Sequence, residues 1–135
     1  TRQEADNMQI HQSAEDYLET ILMLNQRMGR VRSIDVVNEL GYTKASVSIA
    51  MKKLRENGYI AVDGEGNLTL LEPGREIAER IYSRHRLLTH FFVQLGVDEE
   101  VAAEDACKAE HILSEQTLEK IREYALLHDA QDSVK

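Results

Sequence analysis

The sequence predicts a mainly α-helical protein with two parts, a helix-helix-helix-hairpin unit over residues 1–72 and a three-helix unit over residues 73–135. Three observations lead to this prediction. Apolar residues recur at helical spacing through most of the chain. A Gly-rich turn between two short runs of strand-forming residues indicates one β-hairpin. A proline directly after the hairpin begins a second series of helices, so we place the domain boundary near residue 72.

The first two helices are placed by the residues at their ends. Ser13 is interpreted as the N-cap of the first helix, with Asp16 completing a capping-box-like pair, and apolar periodicity then continues to Gly29. The second helix is predicted over Ser33–Leu40. We expect it to end at Gly41, because glycine readily adopts the left-handed conformation that follows many helices.

A third helix and the hairpin complete the first unit. Thr43 is predicted to cap this helix, which ends at Gly58. Residues 59–62 and 68–71 are rich in strand formers and flank a turn over residues 63–67, so we expect them to pair. Two helices joined by a tight turn and followed by a hairpin are typical of a winged helix-turn-helix domain, whose recognition helix enters the DNA major groove.

The second unit is predicted to be entirely helical. Pro73 fits the first turn of a long helix, Asp98 begins a second that is expected to end near Leu113, and Ser114 caps the last. The tail from His128 is polar and is expected to fray. So small a unit leaves apolar side chains exposed, which indicates a homodimer surface. The expected surface residues are Phe91, Phe92, Leu95 and Val97.

The charge distribution indicates local contact with nucleic acid. Residues 27–55 contain seven basic and two acidic residues, a net charge of +5, within a chain whose net charge is −8. At the start of the third helix, small side chains suit contact with base edges, and the lysines further along suit phosphates. The acidic tip of the hairpin does not favour phosphate. The candidate DNA-binding residues are Ser33, Thr43, Lys44, Ala45, Ser46, Ser48, Ile49, Lys52 and Lys53.

Composition excludes several other classes of protein. No apolar run approaches the roughly 18–20 residues that a membrane helix needs, so no membrane partner is expected. Residues 1–12 lack the apolar segment of a signal peptide, and a cytoplasmic location is expected. The single cysteine, Cys107, excludes an internal disulfide framework and leaves a packing, nucleophilic or metal-binding role open.

Metal-ligating side chains recur at helical spacing. One carboxylate pair lies three residues apart on the first helix, and a later group lies at positions i, i+3 and i+4, so each set faces one side of a helix. A mixture of carboxylate, imidazole and thiolate suits first-row transition metals rather than calcium or magnesium. The candidate ligands are Asp16, Glu19, His85, Cys107, Glu110 and His111.

The chain resembles the diphtheria-toxin-repressor family across residues 13–125. The resemblance is carried by the helix-turn-helix and by three fragments, S-A-E-D-Y-L-E-T-I-L at 13–22, S-R-H-R-L-L at 83–88 and E-D-A-C-K-A-E-H-I-L-S at 104–114. It implies a homodimeric, metal-activated repressor of iron or manganese homeostasis genes. It also implies that the six candidate ligands fall on metal-site positions. The length resembles the short, manganese-transport-repressor-like form without an SH3-like domain.

The resemblance divides between two branches of that family. Asp16 matches the manganese-responsive branch, and Cys107 matches the iron-responsive branch. Thr89 and Ala103 stand where relatives have a glutamate and a second-site histidine. The resemblance therefore implies one site per subunit for Fe²⁺ or Mn²⁺, with a second left open through Glu19, Glu104 or His111. The candidate ligands come from both domains, so an ion is expected to couple metal binding to DNA binding.

A two-fold dimer of this kind is expected to bind a palindromic operator in double-stranded DNA. An enzyme is not expected, because the sequence shows no Gly-rich phosphate loop and no nucleophile–base pair. Two alternatives remain open. One is a metal-independent winged-helix regulator that senses a small organic ligand between helices, and the other is a winged helix used for protein contacts.

Overall fold

The structure is a computed structural model that describes the backbone of residues 2–134 and the side chains of residues 12–130. The described residues form six helices and two strands, in the order α1 (Arg2–Met28), α2 (Ser33–Leu40), α3 (Lys44–Glu56), β1 (Ile60–Val62), β2 (Leu68–Leu70), α4 (Glu72–Gln94), α5 (Glu99–Ala109) and α6 (Glu115–Val134). The predicted mainly α architecture with one hairpin is confirmed. The chain divides into two compact units, Thr1–Arg80 and Ile81–Lys135, which are described separately below.

The first helix is longer than the sequence indicated. α1 begins at Arg2, so Ser13 lies inside the helix, and its interpretation as an N-cap is wrong. The reason is that residues 2–28 contain neither glycine nor proline. A serine alone does not interrupt a helix, because its cost in a helix interior is only a few tenths of a kcal/mol. A consequence is that Asp16 and Glu19 lie well within α1 rather than in its first turn.

The turn between α2 and α3 forms as predicted. Gly41 has a φ of +71°, and its amide donates to the carbonyl of Val37, which ends α2. The Thr43 Oγ1 accepts a hydrogen bond of 3.1 Å from the amide of Ser46, which caps α3. Beside this turn, the ring of Tyr42 packs edge-on against Tyr17 of α1, with centroids 6.0 Å apart.

The apolar core of the first unit fixes the direction of α3. Val47, Met51 and Leu54 are buried on one face of this helix, so its other face is exposed. The remaining buried core residues of the first unit are Tyr17, Leu18, Ile21, Leu22, Leu24, Val31, Val36, Ile60, Leu68, Leu70 and Ala78. The recognition helix is therefore held by packing along its whole length.

The hairpin forms with a register that pairs Ile60 with Leu70 and Val62 with Leu68. The Asp63 carboxylate organises its turn, since it accepts hydrogen bonds of 2.9 Å from the amides of Glu65 and Asn67. A further bond from the Asn67 side chain is the main reason that the pKa of Asp63 is lowered. The wing therefore has a defined conformation, although its tip is acidic.

Gly74 allows the start of α4 to lie against the hairpin. A Cβ at this position would lie 2.2 Å from the carbonyl oxygen of Tyr59 and 3.3 Å from Leu18 Cδ2. The same Tyr59 carbonyl accepts a hydrogen bond of 3.0 Å from the amide of Leu71. Only a residue without a side chain fits here.

In the second unit, a buried cluster of Leu88, Ala106 and Leu118 holds α4, α5 and α6 together. The half-buried residues packed against it are Leu87, Phe92, Ala109, Leu113 and Ile121. The Ser114 Oγ accepts a hydrogen bond of 3.2 Å from the amide of Thr117, so its predicted role as a cap is confirmed. No helix within the described residues is long and apolar enough to cross a membrane.

Three expectations for the second unit are wrong. α5 ends at Ala109 rather than near Leu113, and α6 continues past His128 to Val134 instead of fraying. Phe91, Phe92 and Val97 are half-buried, because they pack within the unit, so only Leu95 of the expected dimer surface is exposed. The exposed apolar side chains of this unit are instead Val93, Leu95, Val101, Ile112, Tyr124, Leu126 and Leu127.

Candidate nucleic-acid interface and metal centre

The exposed face of α3 carries most of the predicted DNA-binding residues. Those that are exposed are Thr43, Lys44, Ala45, Ser46, Ser48, Ile49, Lys52 and Lys53. Ser33, at the start of α2, is half-buried. Ile49 is 57% exposed and adds an apolar side chain to this face. The face therefore combines apolar, hydroxyl and cationic groups along one exposed side of α3.

The positive charge of residues 27–55 is concentrated on this helix. Arg27 pairs with Glu39 at 2.7 Å, and Arg30 lies 3.9 Å from Glu65, so two of the seven basic residues face acidic neighbours. The lysines on α3 are Lys44, Lys52 and Lys53. Their side chains form no ion pair with any residue whose side chain the structure describes. Cationic side chains without an internal partner are available to phosphates.

The second unit contains a buried carboxylate between two imidazoles. Glu110 is 0% exposed, and its Oε2 lies 3.0 Å from His85 Nδ1. Its Oε1 lies 3.5 Å from His111 Nε2, and the His111 side chain is 2% exposed. His85 comes from α4, and the other two residues follow the end of α5. A helix and a turn thus bring one oxygen of Glu110 to each imidazole.

This cluster suits a divalent transition metal. A fully buried carboxylate is costly unless a positive charge or several hydrogen bonds compensate it. Glu110 Oε1 accepts no hydrogen bond from any residue that the structure describes, and His111 Nε2 lies 3.5 Å from it. Imidazole and carboxylate together match the ligand preference of manganese, iron and zinc. His85, Glu110 and His111 also belong to the groups of side chains whose donor atoms are close enough to share an ion.

Sequence profiles of two domains match nearly the whole chain. The profile of the iron-dependent repressor N-terminal DNA-binding domain matches residues 9–68, and that of the iron-dependent repressor metal-binding and dimerisation domain matches residues 71–127. An uncharacterised HTH-type transcriptional regulator of Methanocaldococcus jannaschii is 36% identical over 113 residues, which cover 82% of this chain and 90% of the relative. The chain belongs to the diphtheria-toxin-repressor family of metal-dependent transcriptional repressors.

Characterised relatives agree with this assignment. The HTH-type transcriptional regulator MntR of Bacillus subtilis is 32% identical over 123 residues, covering 91% of this chain and 87% of the relative. A solved manganese-dependent transcriptional repressor in complex with manganese superposes with a TM-score of 0.76 at 28% identity and covers 83% of this chain. The chain spans about half, 52%, of that solved structure. These relatives of the repressor are transcriptional regulators rather than enzymes.

The remaining predicted ligands of this family member lie elsewhere along the chain. Asp16 and Glu19 are three residues apart on α1 in the first unit, where Asp16 is half-buried and Glu19 is buried. Cys107 lies on α5 and is exposed, whereas Glu110 is fully buried. Cys107 does not belong to the groups of close donor atoms that the described residues form, and its role as a ligand stays a prediction.

The candidate ligands at positions i, i+3 and i+4 extend past the end of α5. Cys107 is helical, but Glu110 is the C-terminal cap of α5, and His111 lies in the turn that follows. The expectation that all three project from one continuous helix is therefore wrong. Thr89 donates its hydroxyl to the carbonyl of His85, one turn earlier in α4, at 2.8 Å.

Arg84 is the residue of this region that sequence reasoning missed. Its Nη1 donates a hydrogen bond of 3.2 Å to the carbonyl oxygen of Glu110, and its Nη2 pairs with the carboxylate of Glu115. The only signal available in the sequence was its position directly before His85. Being next to His85 in sequence does not predict the contact of Arg84 with Glu110, which lies 26 residues further along the chain.

Proposed function

We propose that this repressor is a homodimer that binds a palindromic operator in double-stranded DNA when Fe²⁺ or Mn²⁺ is bound. The observation that carries the proposal is the buried Glu110 carboxylate between His85 and His111. A carboxylate between two imidazoles is a donor set that would hold a divalent ion, whose positive charge would offset the cost of burying Glu110. The match to the iron-dependent repressor domain and the likeness to a manganese-dependent repressor support the choice of ion.

The proposed ligand set contains residues from both units. His85, Glu110 and His111 form the cluster in the second unit, and we add Cys107 from α5 and the α1 carboxylates Asp16 and Glu19. A bound divalent ion supplies positive charge to this collection of acidic groups. Since the DNA-binding unit contributes two of the ligands, metal affinity and DNA affinity are expected to be linked. One site per subunit is proposed, with a second left open.

The ligands have distinct tasks. Glu110 offers one oxygen towards each imidazole, so this carboxylate and the two imidazoles would together hold an ion. Ligands must be deprotonated to bind a metal, so affinity is expected to fall as the pH is lowered. The proposed cytoplasmic location follows from the DNA target.

The DNA contacts are proposed to divide by side-chain chemistry. Thr43, Ser46 and Ile49 would contact base edges in the major groove, since they lie at the exposed start of α3. Lys52 and Lys53 would contact phosphates, which fixes register without reading sequence. The exposed apolar side chains of α4–α6 would form the homodimer surface, and a two-fold dimer requires two inverted half-sites.

A selection experiment tests this proposal. A random duplex library is enriched on the purified protein in parallel with Mn²⁺, with Fe²⁺ under anaerobic conditions, and with chelator. We expect a palindromic sequence to emerge in both metal arms and no sequence to emerge with chelator. Enrichment of the same palindrome with chelator would show that the protein binds its operator without metal.

A groove in the first unit supports one alternative. It has a volume of about 1120 Å³ and is lined partly by apolar side chains, including Tyr17, Ile49 and Ile77. Its charged lining residues are Lys53 and the ion pair of Arg80 with Glu15. A small organic ligand in this groove would act on the recognition helix directly, without metal. This alternative predicts operator affinity that does not change across a metal titration and that responds to small organic molecules.

A further inference from the structure

The turn between α5 and α6 carries two of the proposed metal ligands and has little regular structure of its own. Glu110 and His111 lie at its start, and Ser114 caps the next helix at its end. The amides of Ile112 and Leu113 both donate to the carbonyl of Ala109, at 3.1 and 3.3 Å. The amide of Glu110 still donates to the carbonyl of Ala106 at 2.9 Å, whereas the carbonyl of Glu110 lies beyond the regular hydrogen bonds of α5.

One side chain of α4 contacts both ends of this turn. The guanidinium of Arg84 donates to the Glu110 carbonyl from Nη1 at 3.2 Å, and Nη2 pairs with the Glu115 carboxylate in the first turn of α6. The Glu110 carbonyl is one of those that the end of a helix leaves without an intrahelical partner. The same segment of α4 continues directly into His85.

The exposure of Arg84 and Glu115 indicates which of the two contacts of Arg84 contributes more to holding the turn. The side chain of Arg84 is 15% exposed, whereas that of Glu115 is 80% exposed. An exposed ion pair contributes little, but a hydrogen bond from a half-buried cation to a backbone carbonyl is stronger than a neutral one. The planar guanidinium can donate in two fixed directions at once, and a lysine cannot.

If Arg84 affected metal binding only through its charge, this residue would be unfavourable next to the candidate metal ligands. A guanidinium close to a cation-binding cluster repels a divalent ion, so its removal should strengthen metal binding. A guanidinium that holds the ligands in position has the opposite effect, because its removal lets Glu110 and His111 move. The sign of the change in metal affinity therefore distinguishes the two roles.

We propose that Arg84 is a positioning residue that holds the turn bearing Glu110 and His111 in its metal-binding conformation before metal arrives. The inference rests on the proposed function for its ligand chemistry. Its structural part, an ordered turn in the metal-free protein, stands on the contacts of Arg84 alone. Residues that orient metal ligands without touching the ion typically change metal affinity by 10- to 100-fold.

The test compares Arg84→Lys with Arg84→Gln, Glu115→Gln and a matched control, Arg122→Lys. Arg122 is also on the second unit and pairs with an exposed glutamate, Glu119, at 2.5 Å. Mn²⁺ affinity is measured by competition with a chromophoric chelator, and Mn²⁺ dissociation by a chelator chase. Amide hydrogen exchange of residues 110–114 is measured on the metal-free proteins, and circular dichroism verifies that each variant is folded.

We expect Arg84→Lys to weaken Mn²⁺ binding by about 10- to 100-fold with faster dissociation. Amide exchange in the turn should rise in the metal-free protein while the helices remain protected. Glu115→Gln should have a smaller effect of the same sign, and Arg122→Lys should have none. Unchanged exchange in the turn of Arg84→Lys, or tighter Mn²⁺ binding by Arg84→Gln, would overturn the inference. If the wild-type chain itself fails to bind Mn²⁺, the proposed function fails, and the exchange measurement still decides whether Arg84 holds the turn.

Discussion

The two units present their functional residues in opposite ways. In the first unit, the candidate DNA-binding side chains are exposed on a helix whose other face is packed. In the second unit, the candidate ligands Glu110 and His111 are buried in a turn beyond the end of a helix. Exposed polar residues on a packed helix cost little stability, whereas buried ionisable groups cost a great deal unless they are compensated. Substitutions in the two regions should therefore differ in both size and kind.

The largest effect is expected at the buried carboxylate. Glu110→Gln keeps the shape and a hydrogen-bonding oxygen but removes the negative charge, so Mn²⁺ affinity should fall by at least about 100-fold, more than the loss of a supporting residue causes. The fold should be retained, because the buried charge that disfavours folding is removed. Isothermal titration calorimetry measures the affinity, with Glu100→Gln, an exposed residue of α5, as the control. Equal affinities of Glu110→Gln and wild type would exclude Glu110 as a ligand.

A comparable effect, on stability instead of binding, is expected at Gly74. Gly74→Ala places a methyl group 2.2 Å from the Tyr59 carbonyl, so backbone must shift, and the free energy of unfolding should fall by about 3 kcal/mol. Urea denaturation measures this change. Gly64→Ala is the matched control, since a Cβ at Gly64 meets nothing within 4 Å. Similar midpoints for both variants would show that the start of α4 is not held against the hairpin.

A moderate effect on metal selectivity is expected at Cys107. If its thiolate is a ligand, Cys107→Ser should lower Fe²⁺ affinity by roughly tenfold and Mn²⁺ affinity less, because sulfur favours the later and softer ions. Anaerobic titrations with both ions give the ratio, and Ala103→Ser on the same helix serves as the control. A ratio identical to that of wild type would remove Cys107 from the ligand set and leave it as an exposed side chain of α5.

A smaller effect is expected from single lysines of α3. Lys52→Ala should weaken binding to specific and random duplexes alike and reduce the slope of log Kd against log salt by about one ion, the effect of losing one phosphate contact. Fluorescence anisotropy at several salt concentrations measures the slope. Lys120→Ala, an exposed residue of α6, should leave the slope as it is. A loss confined to the specific duplex would mean that Lys52 reads bases.

The smallest effect is expected at the tip of the wing. Hydrogen bonds from Asn67 lower the pKa of Asp63 below its ordinary value of 3.8, so the ionised form stabilises the folded state. That stabilisation is complete at pH values above 3.8 and disappears as the pH falls through the lowered pKa. Asp63→Asn should therefore lower the melting temperature slightly at neutral pH, and the difference should vanish in strong acid. If the melting temperatures of Asp63→Asn and wild type still differed in strong acid, the difference would not come from the ionised Asp63 carboxylate.

The comparison also explains which features the sequence could predict. The α2–α3 turn depends on Gly41 and Thr43, whose local conformations and caps are properties of a few adjacent residues. At the end of α5, by contrast, the Glu110 carbonyl accepts a hydrogen bond from Arg84, which lies 26 residues away along the chain. Local patterns hold no information on such a contact. The cap interpretation of Ser13 predicts too short an α1, because no helix-breaking residue precedes Ser13 in this helix.

Burial was the other feature that local patterns did not predict. Phe92 was expected on an exposed surface, but it packs against Leu88, Ala106 and Leu118 from three different helices. The ligand candidates were found because their chemistry and spacing are unusual, and their surroundings were not predicted. That Glu110 is fully buried between two imidazoles could be learned only from the fold.

The most direct test of the account is the operator affinity of the wild-type protein as a function of free Mn²⁺ concentration. Fluorescence anisotropy with a palindrome obtained by selection gives Kd at each buffered Mn²⁺ level, at constant salt. The account predicts that affinity rises by a factor of about 5 to 150, the usual range of coupling between sites, and then saturates as the metal site fills. A Kd that is the same in chelator and at saturating Mn²⁺ would contradict it.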